Sequence, residues 1–256
     1  MLATIIGDDT PDRELFPANR GRGLDLSARP AGLVYGSTAD PFPADWLIPR
    51  SEWQARIEEM EARKSLLSDI VDQAGLPCKD QMQTLYCWAN ATTHTVEVLR
   101  AIEGEAQVIL SAASVGGQIT GYRDIGGMGP DALAWIAENG VVPEAQWPAN
   151  AIDPRYATPA NLAAGKAYRV DLWYELEPGN IDQIVSCLMR RLPVAVGLNW
   201  WGHEVTYYDP AWIDGKIAIR FRNSWGMGYG QNGYGILQGR RMLPSDAVAP
   251  RRAIAS

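Results

Sequence analysis

The chain has 256 residues, 46% of them hydrophobic, and a net charge of -7 at pH 7. This length is sufficient for one large domain or two small lobes with a real core. The acidic balance and the lack of a long basic run argue against nucleic acid or an anionic membrane as the main partner. No apolar run approaches the roughly 18 residues that a membrane span needs, and the first residues lack the pattern of a secretory signal.

The few cysteines and histidines limit the chemistry further. Three cysteines, Cys78, Cys87 and Cys187, cannot form a disulfide framework, which favours a reducing compartment. With only two histidines and no C-x-x-C pair, we expect no metal site and no cofactor. The expected location is the cytoplasm or a virus particle.

The first part of the chain divides into an irregular segment and a helical one. Residues 1–45 are rich in Gly, Pro, Asp and Arg without periodicity, which predicts an extended N-terminal arm. Apolar residues then recur at helical spacing over residues 51–74, with Ser51 as the expected N-cap and Gly75 as the stop. We expect a main domain over residues 46–240 that carries this inserted helix, followed by a tail over residues 241–256.

Helices come early in the main domain and strands come late. Further helices are predicted from about residue 87 to 103, from 130 to 139, and after Asn180. Strand patterns follow at residues 194–198, 204–208 and 216–222. This order predicts an α+β fold with two lobes.

The last two strands are predicted to form an antiparallel hairpin, because the loop "DPAWIDG" between them contains Pro, Asp and Gly. If His203 is paired with Asn223, the centre of the hairpin falls at residue 213, inside this loop. An Asn amide beside a His ring can fix which ring nitrogen carries the proton. The pair therefore resembles the base and the orienting member of a catalytic triad.

Cys87 is the candidate nucleophile, since it lies at the predicted start of a helix. Free N–H groups and the helix dipole favour an anion there, which would lower the pKa of a thiol. The same N–H groups can receive an oxyanion, and Gln81 could supply a second donor. His94 lies two helical turns further on, about 10 Å away by helix rise, which is too far to accept the thiol proton.

These motifs resemble those of the papain-like cysteine peptidases. The matches are "KDQ" followed after the family's spacing by "CWA", a His that starts a strand, and "NSWG" followed by glycines and "NGY". The segments "LSAASV", "GGMGPDALAWIAENGVV" and "FPADW" are weaker matches in the family's order. The resemblance covers residues 81–237 and implies the papain-like fold, with a helical lobe carrying the Cys and a β-rich lobe carrying the His and the Asn.

The resemblance also implies a role for each matched residue. Cys87 would attack the substrate carbonyl, His203 would act as base and then acid, and Asn223 would orient His203 with Trp225 shielding their contact. The side chain of Gln81 and the backbone N–H of Cys87 would form the oxyanion hole. Gly126 and Gly127 would line the cleft and pair with an extended polypeptide substrate.

Three classes of function stay open at this point: a cysteine peptidase, another acyl-transfer enzyme on the same triad (a deamidase, a transglutaminase or a cell-wall peptide amidase), and a structural component that keeps the fold. No segment resembling the family's inhibitory propeptide precedes the domain. We expect the arm either to dock on a neighbouring subunit, in a virus particle or another assembly, or to lie along its own domain near the cleft.

Overall fold

The computed structural model describes residues 5–28 and 39–253 and combines α-helices with a β-sheet, as the order of patterns predicted. The helices are α1 (Asp12–Leu15), α2 (Trp53–Ala62), α3 (Leu67–Ala74), α4 (Cys87–Ile102), α5 (Ala112–Thr120), α6 (Gly129–Asn139), α7 (Pro159–Gly165) and α8 (Ile181–Met189). The strands are β1 (Ile5–Ile6), β2 (Asp40–Pro41), β3 (Val170–Leu176), β4 (Val194–Leu198), β5 (His203–Ile213), β6 (Lys216–Arg222), β7 (Tyr234–Gln238) and β8 (Asp246–Ala253).

All described strands belong to one sheet in the order β1-β7-β6-β5-β4-β8-β3-β2. The two short outer strands, β1 and β2, pair in parallel with their neighbours, whereas the inner strands are antiparallel. One hydrophobic core lies around the sheet and α8, and a second surrounds the start of α4 together with α5 and α6. Helix α4 runs between the two cores, so most of its side chains are buried on every face.

The helix predicted over residues 51–74 is broken. A 3-10 turn at Arg50–Glu52 precedes α2, so Ser51 is not the N-cap, and α2 ends at Ala62. Lys64 adopts a positive φ of 52° before α3 begins. Lys64 already interrupts the apolar spacing in the sequence, and the two short helices each bury their own apolar side chains around this turn.

The predicted hairpin forms, but with a different loop and register. Strand β5 continues to Ile213, and the turn contains only Asp214 and Gly215, both with positive φ. Pro210 is tolerated in the strand because β4 pairs with β5 only as far as Tyr207. His203 and Asn223 are therefore not opposed in the sheet, although their side chains meet.

The chain end differs from the expected tail. Residues 246–253 form β8, which lies between β4 and β3 in the interior of the sheet. Small side chains such as Ala247 and Ala249 fill the core there, so the segment lacks the bulky apolar alternation that signals a strand. The last three residues of the expected tail, 254–256, lie outside the described residues.

The arm packs on its own domain wherever the structure describes it. Strand β1 extends the sheet beside β7, and the indole Nε1 of Trp201 donates to the carbonyl of Leu15 at 2.8 Å. Ion pairs join Asp12 to Arg241 at 2.9 Å and Arg20 to Asp80 at 2.6 Å. Residues 1–4 and 29–38 of the predicted arm lie outside the described residues.

Candidate active site

Cys87 begins α4 at the boundary between the two lobes, with its side chain fully buried. Its Sγ accepts hydrogen bonds from the backbone N–H of Gly23, at 3.2 Å, and from that of Glu204. Burial, and next the Glu204 carboxylate, raise the pKa of Cys87 to about 12. The sequence led us to expect a lowered pKa at this helix start. In the structure, the desolvation of the buried thiol has a larger effect on its pKa than the helix N-terminus has.

His203 lies beside Asn223, as the sequence predicted from the hairpin. Its Nε2 is 2.8 Å from the Asn223 Oδ1, while its Nδ1 is buried and makes no hydrogen bond to any described residue. Because the backbone N–H of the next residue, Glu204, points at the Sγ of Cys87, the imidazole and the thiol belong to one site. The free Nδ1 is thus the nitrogen available for proton exchange.

Two indoles enclose the imidazole. The Trp225 ring stacks on His203 with centroids 4.7 Å apart, and the Trp201 ring meets His203 edge-on at 5.1 Å. Trp201 also packs edge-on against Trp225. The sequence singled out Trp225 as a shield but missed Trp201, for which the adjacent "WW" pair gave no specific signal.

The Gln81 side chain is held from both ends. Its Nε2 donates to the carbonyls of Thr84, at 2.7 Å, and Gly21, at 3.2 Å. Its Oε1 accepts a hydrogen bond from the hydroxyl of Ser224, and its backbone N–H donates to the Ser224 carbonyl at 2.8 Å. Ser224 therefore orients the amide that the resemblance places in the oxyanion hole, a role not evident from the sequence.

Gly127 pairs its backbone with an extended segment of the chain's own arm, while the predicted pairing with a substrate stays a prediction. The N–H of Gly127 donates to the Gly23 carbonyl and its carbonyl accepts from the Asp25 N–H, both at 2.9 Å. Leu24 thereby forms a parallel bridge with Gly127. A Cβ on Gly126 would lie 2.7 Å from the Gly23 carbonyl oxygen, so this glycine is needed for the close approach of the arm.

The arm passes close to Cys87 because Gly21 and Gly23 let its backbone lie against residues 84 and 85. A Cβ on Gly21 would be 2.0 Å from the Thr84 carbonyl oxygen, and one on Gly23 would be 1.9 Å from that of Leu85. The motif "GRG" therefore explains how this stretch fits. Arg20, just before the motif, pairs with Asp80, and Arg22 within it donates to the Trp201 carbonyl at 2.9 Å.

The arm contacts the thiol through a backbone N–H. The group that faces the Sγ of Cys87 is the N–H of Gly23. The carbonyl that receives Gln81 belongs to Gly21, two residues away, and it also accepts from Trp225 at 3.1 Å. The arm thus contacts the sulfur and the Gln81 amide through groups of two different residues.

His94 lies in a separate buried network that joins the two lobes. Its Nδ1 is 2.7 Å from Glu97, which also accepts from the Lys79 ammonium at 2.8 Å. Its Nε2 contacts the hydroxyl of Tyr208 on β5. This arrangement agrees with the distance argument that kept His94 out of the catalytic set, and it ties the segment before Gln81 to both α4 and β5.

Because the chain has only two histidines, the closed site can be tested by NMR. Burial lowers the pKa of His203 from 6.5 to about 4, and the nearby Arg22 adds to this effect. A solvated imidazole gains a proton below pH 6.5, whereas His203 in the closed chain gains it only near pH 4, so the closed form loses stability as the pH falls through this window. We expect the His203 ring signals of the intact chain to titrate well below pH 6.5, and to titrate higher once the arm is displaced.

His94 provides the internal control for that titration. Burial also lowers its pKa, and the ring nitrogens contact Glu97 and Tyr208, which do not belong to the arm. Its signals should therefore keep the same titration midpoint in both forms, with assignment by the His94→Gln variant. A His203 midpoint near 6.5 in the intact chain would contradict the closed site.

The described residues also bear on metals and membranes. Within residues 5–28 and 39–253, no three His, Cys, Asp or Glu side chains converge in a way that could hold a metal ion. In the same part of the chain, no helix combines the length and the apolar character needed to cross a bilayer. All three cysteines are free thiols.

Comparison with known proteins gives consistent matches. The model of the papain family of cysteine proteases matches residues 67–219, more than half of the chain. Cysteine protease 1 of Oryza sativa subsp. japonica is 29% identical over 188 residues, 62% of this chain and 37% of that protein. The probable cysteine protease RD21B of Arabidopsis thaliana is 27% identical over 239 residues, 83% of this chain and 47% of that protein. The chain thus spans less than half the length of these two relatives.

Solved structures agree on the fold. Digestive procathepsin L 3 of the Tenebrio molitor larval midgut superposes with a TM-score of 0.61 at 19% identity, covering 96% of this chain and 80% of that one. Xylellain, a cysteine protease from Xylella fastidiosa, gives a TM-score of 0.62 at 17% identity and covers 93% and 99%. These likenesses confirm the predicted two-lobe α+β fold.

Proposed function

Since this chain belongs to the papain family of cysteine proteases, we propose that it is a cysteine peptidase that hydrolyses peptide bonds through Cys87, His203 and Asn223. The observation that carries the proposal is the arrangement of the imidazole. Asn223 holds Nε2 at 2.8 Å, Nδ1 has no hydrogen-bond partner among the described residues, and the next backbone N–H reaches the Cys87 sulfur. An imidazole oriented at one ring nitrogen and free at the other, next in sequence to the residue whose N–H binds the thiol, supports the assignment of a nucleophile and its base.

In the proposed reaction, His203 takes the thiol proton and the Cys87 sulfur attacks the substrate carbonyl. The oxyanion that forms is received by the Gln81 amide, which Ser224 orients, and by the N–H groups at the start of α4. His203 then gives its proton to the leaving amine as the carbon–nitrogen bond breaks. Water, deprotonated by His203, hydrolyses the thioester and restores the free thiol.

We also propose that the chain is latent while residues 20–25 lie in the cleft. The arm occupies the Gln81 amide, the Cys87 sulfur and the Gly127 backbone together, which are the groups an extended substrate would need. Two of the solved structures that this chain resembles are of proforms: procathepsin L 3, and the Amb a 11 cysteine protease, which superposes with a TM-score of 0.57. The described arm contacts its own domain, which favours self-inhibition over docking on a neighbouring subunit in a virus particle or another assembly.

The test of the proposed function is a product analysis. A peptide library is incubated with chain whose arm has been displaced, and the products are identified by mass spectrometry. Products that are cut at the backbone and together weigh one water more than the peptide support a peptidase. Peptides with an intact backbone but an exchanged or deamidated side-chain amide would assign the same triad to another acyl transfer. A chain that changes no peptide, and whose Cys87 does not react with an epoxide thiol probe, would contradict catalysis and leave a structural role.

A further inference from the structure

The oxygen of the Asn223 side-chain amide faces two groups at once. The backbone N–H of Ser224 donates to Oδ1 at 2.8 Å, and the His203 Nε2 lies 2.8 Å from the same oxygen. A backbone N–H can only donate, so the amide atom in this position is the oxygen and not the nitrogen. The His203 nitrogen that faces this oxygen must then carry a proton. The orientation of one amide therefore sets the tautomer of the neutral imidazole, with Nε2 protonated and Nδ1 free.

The nitrogen of the same amide is buried. Asn223 is 2% exposed, and its Nδ2 makes no hydrogen bond of ordinary geometry to a described residue. The side chain interacts instead with the phenol of Tyr229: burial raises the pKa of this phenol, and Asn223 acts against that rise. A hydrogen bond donated to the phenol oxygen has this effect, because it stabilises the phenolate, whereas a bond donated by the hydroxyl would raise the pKa further. Asn223 therefore offers its Nδ2–H to the Tyr229 oxygen.

Tyr229 is held in place by contacts of its own. Its ring packs edge-on against Trp225, with centroids 5.4 Å apart, and is tilted against Phe221 at 6.1 Å. Its carbonyl accepts from the Gly233 N–H at 2.7 Å, and the Gly233 carbonyl accepts from the Asn223 N–H at 2.9 Å. The loop that follows Asn223 thus returns to it twice, once through the backbone and once through the phenol.

We propose that Tyr229 is a positioning residue, whose hydroxyl accepts from the Asn223 Nδ2 and thereby holds the amide with Oδ1 towards His203. The role deepens the peptidase function proposed above and rests on it. Without the hydroxyl, a buried amide N–H loses its acceptor, at a cost of about 1 to 3 kcal/mol. The amide can recover this energy only by turning its nitrogen towards water, which breaks the contact between Oδ1 and the imidazole. The base would then lose the constraint that keeps Nδ1 free.

The ring proton of His203 tests this role without any need for turnover. Tyr229→Phe removes the hydroxyl and keeps the ring. Tyr207→Phe is the matched control, because that hydroxyl donates to the Met242 carbonyl at 3.0 Å. In the full chain labelled with ¹⁵N-histidine, and with His94→Gln for assignment, we expect the Nε2 proton of His203 to exchange with solvent about tenfold faster in Tyr229→Phe than in the parent. Exchange as slow in Tyr229→Phe as in Tyr207→Phe would overturn the proposal.

Turnover gives the second readout, in full chains that also carry Gly23→Ala to displace the arm. We expect Tyr229→Phe to lower kcat for a fluorogenic peptide about 3- to 10-fold, with KM within about twofold, because the hydroxyl acts on the base and not on the substrate. Tyr207→Phe should keep both constants. Equal kcat in the two variants would overturn the positioning role. No turnover by the Gly23→Ala chain itself would count against the peptidase function and leave the exchange of the His203 proton to decide the role of Tyr229.

Discussion

Replacing Cys87 by alanine is expected to lower kcat/KM for peptide hydrolysis about 10⁴-fold or more, and His203→Ala should lower it by a similar factor. Nucleophile and base act as a unit, so the loss of either removes the acylation step. Asn223→Ala should leave a measurable remnant, since the amide orients the ring without reacting. Gln81→Ala should cost on the order of 10²-fold, as expected for one oxyanion donor. The measurement is a progress curve on a fluorogenic peptide with the arm displaced.

The matched control is Cys187→Ala. Like Cys87, Cys187 is a fully buried free thiol on a helix, but that helix is α8, which carries none of the proposed catalytic residues. The same chemical change should therefore leave kcat/KM within a few-fold of the parent chain. If Cys87→Ala retained full activity while remaining folded, the assignment of the nucleophile would be wrong.

The sequence predicted the parts of the site that chemistry constrains. These parts are a thiol at a helix start, an imidazole at a strand start and an amide after the next strand. Their residue types and order belong to the motif that the chain shares with the family, so the sequence alone indicates them. The contact between His203 and Asn223 was expected from a register that the structure does not have, because the strand continues through Pro210. The contact forms nevertheless, since Asn223 leaves β6 and bonds its N–H to the Gly233 carbonyl at 2.9 Å.

The features that the sequence did not predict depend on tertiary contacts. The arm has no apolar periodicity, and its two critical glycines are explained only by the carbonyls of Thr84 and Leu85 that they approach. The carboxylate of Glu204 is placed beside Asp246 by sheet pairing between segments distant in the chain. The raised pKa of Cys87 likewise follows from burial and from the nearby Glu204 carboxylate, whereas local position alone suggested a lowered pKa.

Displacing the arm should have the opposite effect on activity to removing the thiol. Gly23→Ala places a Cβ where the Leu85 carbonyl oxygen would be 1.9 Å away, so the arm must shift from the wall. The shift disrupts hydrogen bonds between Gly23 or Asp25 and Gly127, each contributing about 1 kcal/mol. If the arm thereby loses about 2 kcal/mol of binding, the open fraction and the peptidase rate rise about 30-fold.

Gly7→Ala is the control for this substitution, because it adds the same Cβ to the same arm where no atom lies within 4 Å. It should leave both the rate and the labelling of Cys87 by iodoacetamide at those of the parent chain. Cys87 of the parent, fully buried with its pKa raised to about 12, should resist labelling at neutral pH, and Gly23→Ala should expose it. The partly exposed Cys78 reports equal labelling conditions in every sample. Equal activity and equal Cys87 labelling in Gly23→Ala and Gly7→Ala would show that the arm does not control the site, because only the first change requires the arm to move.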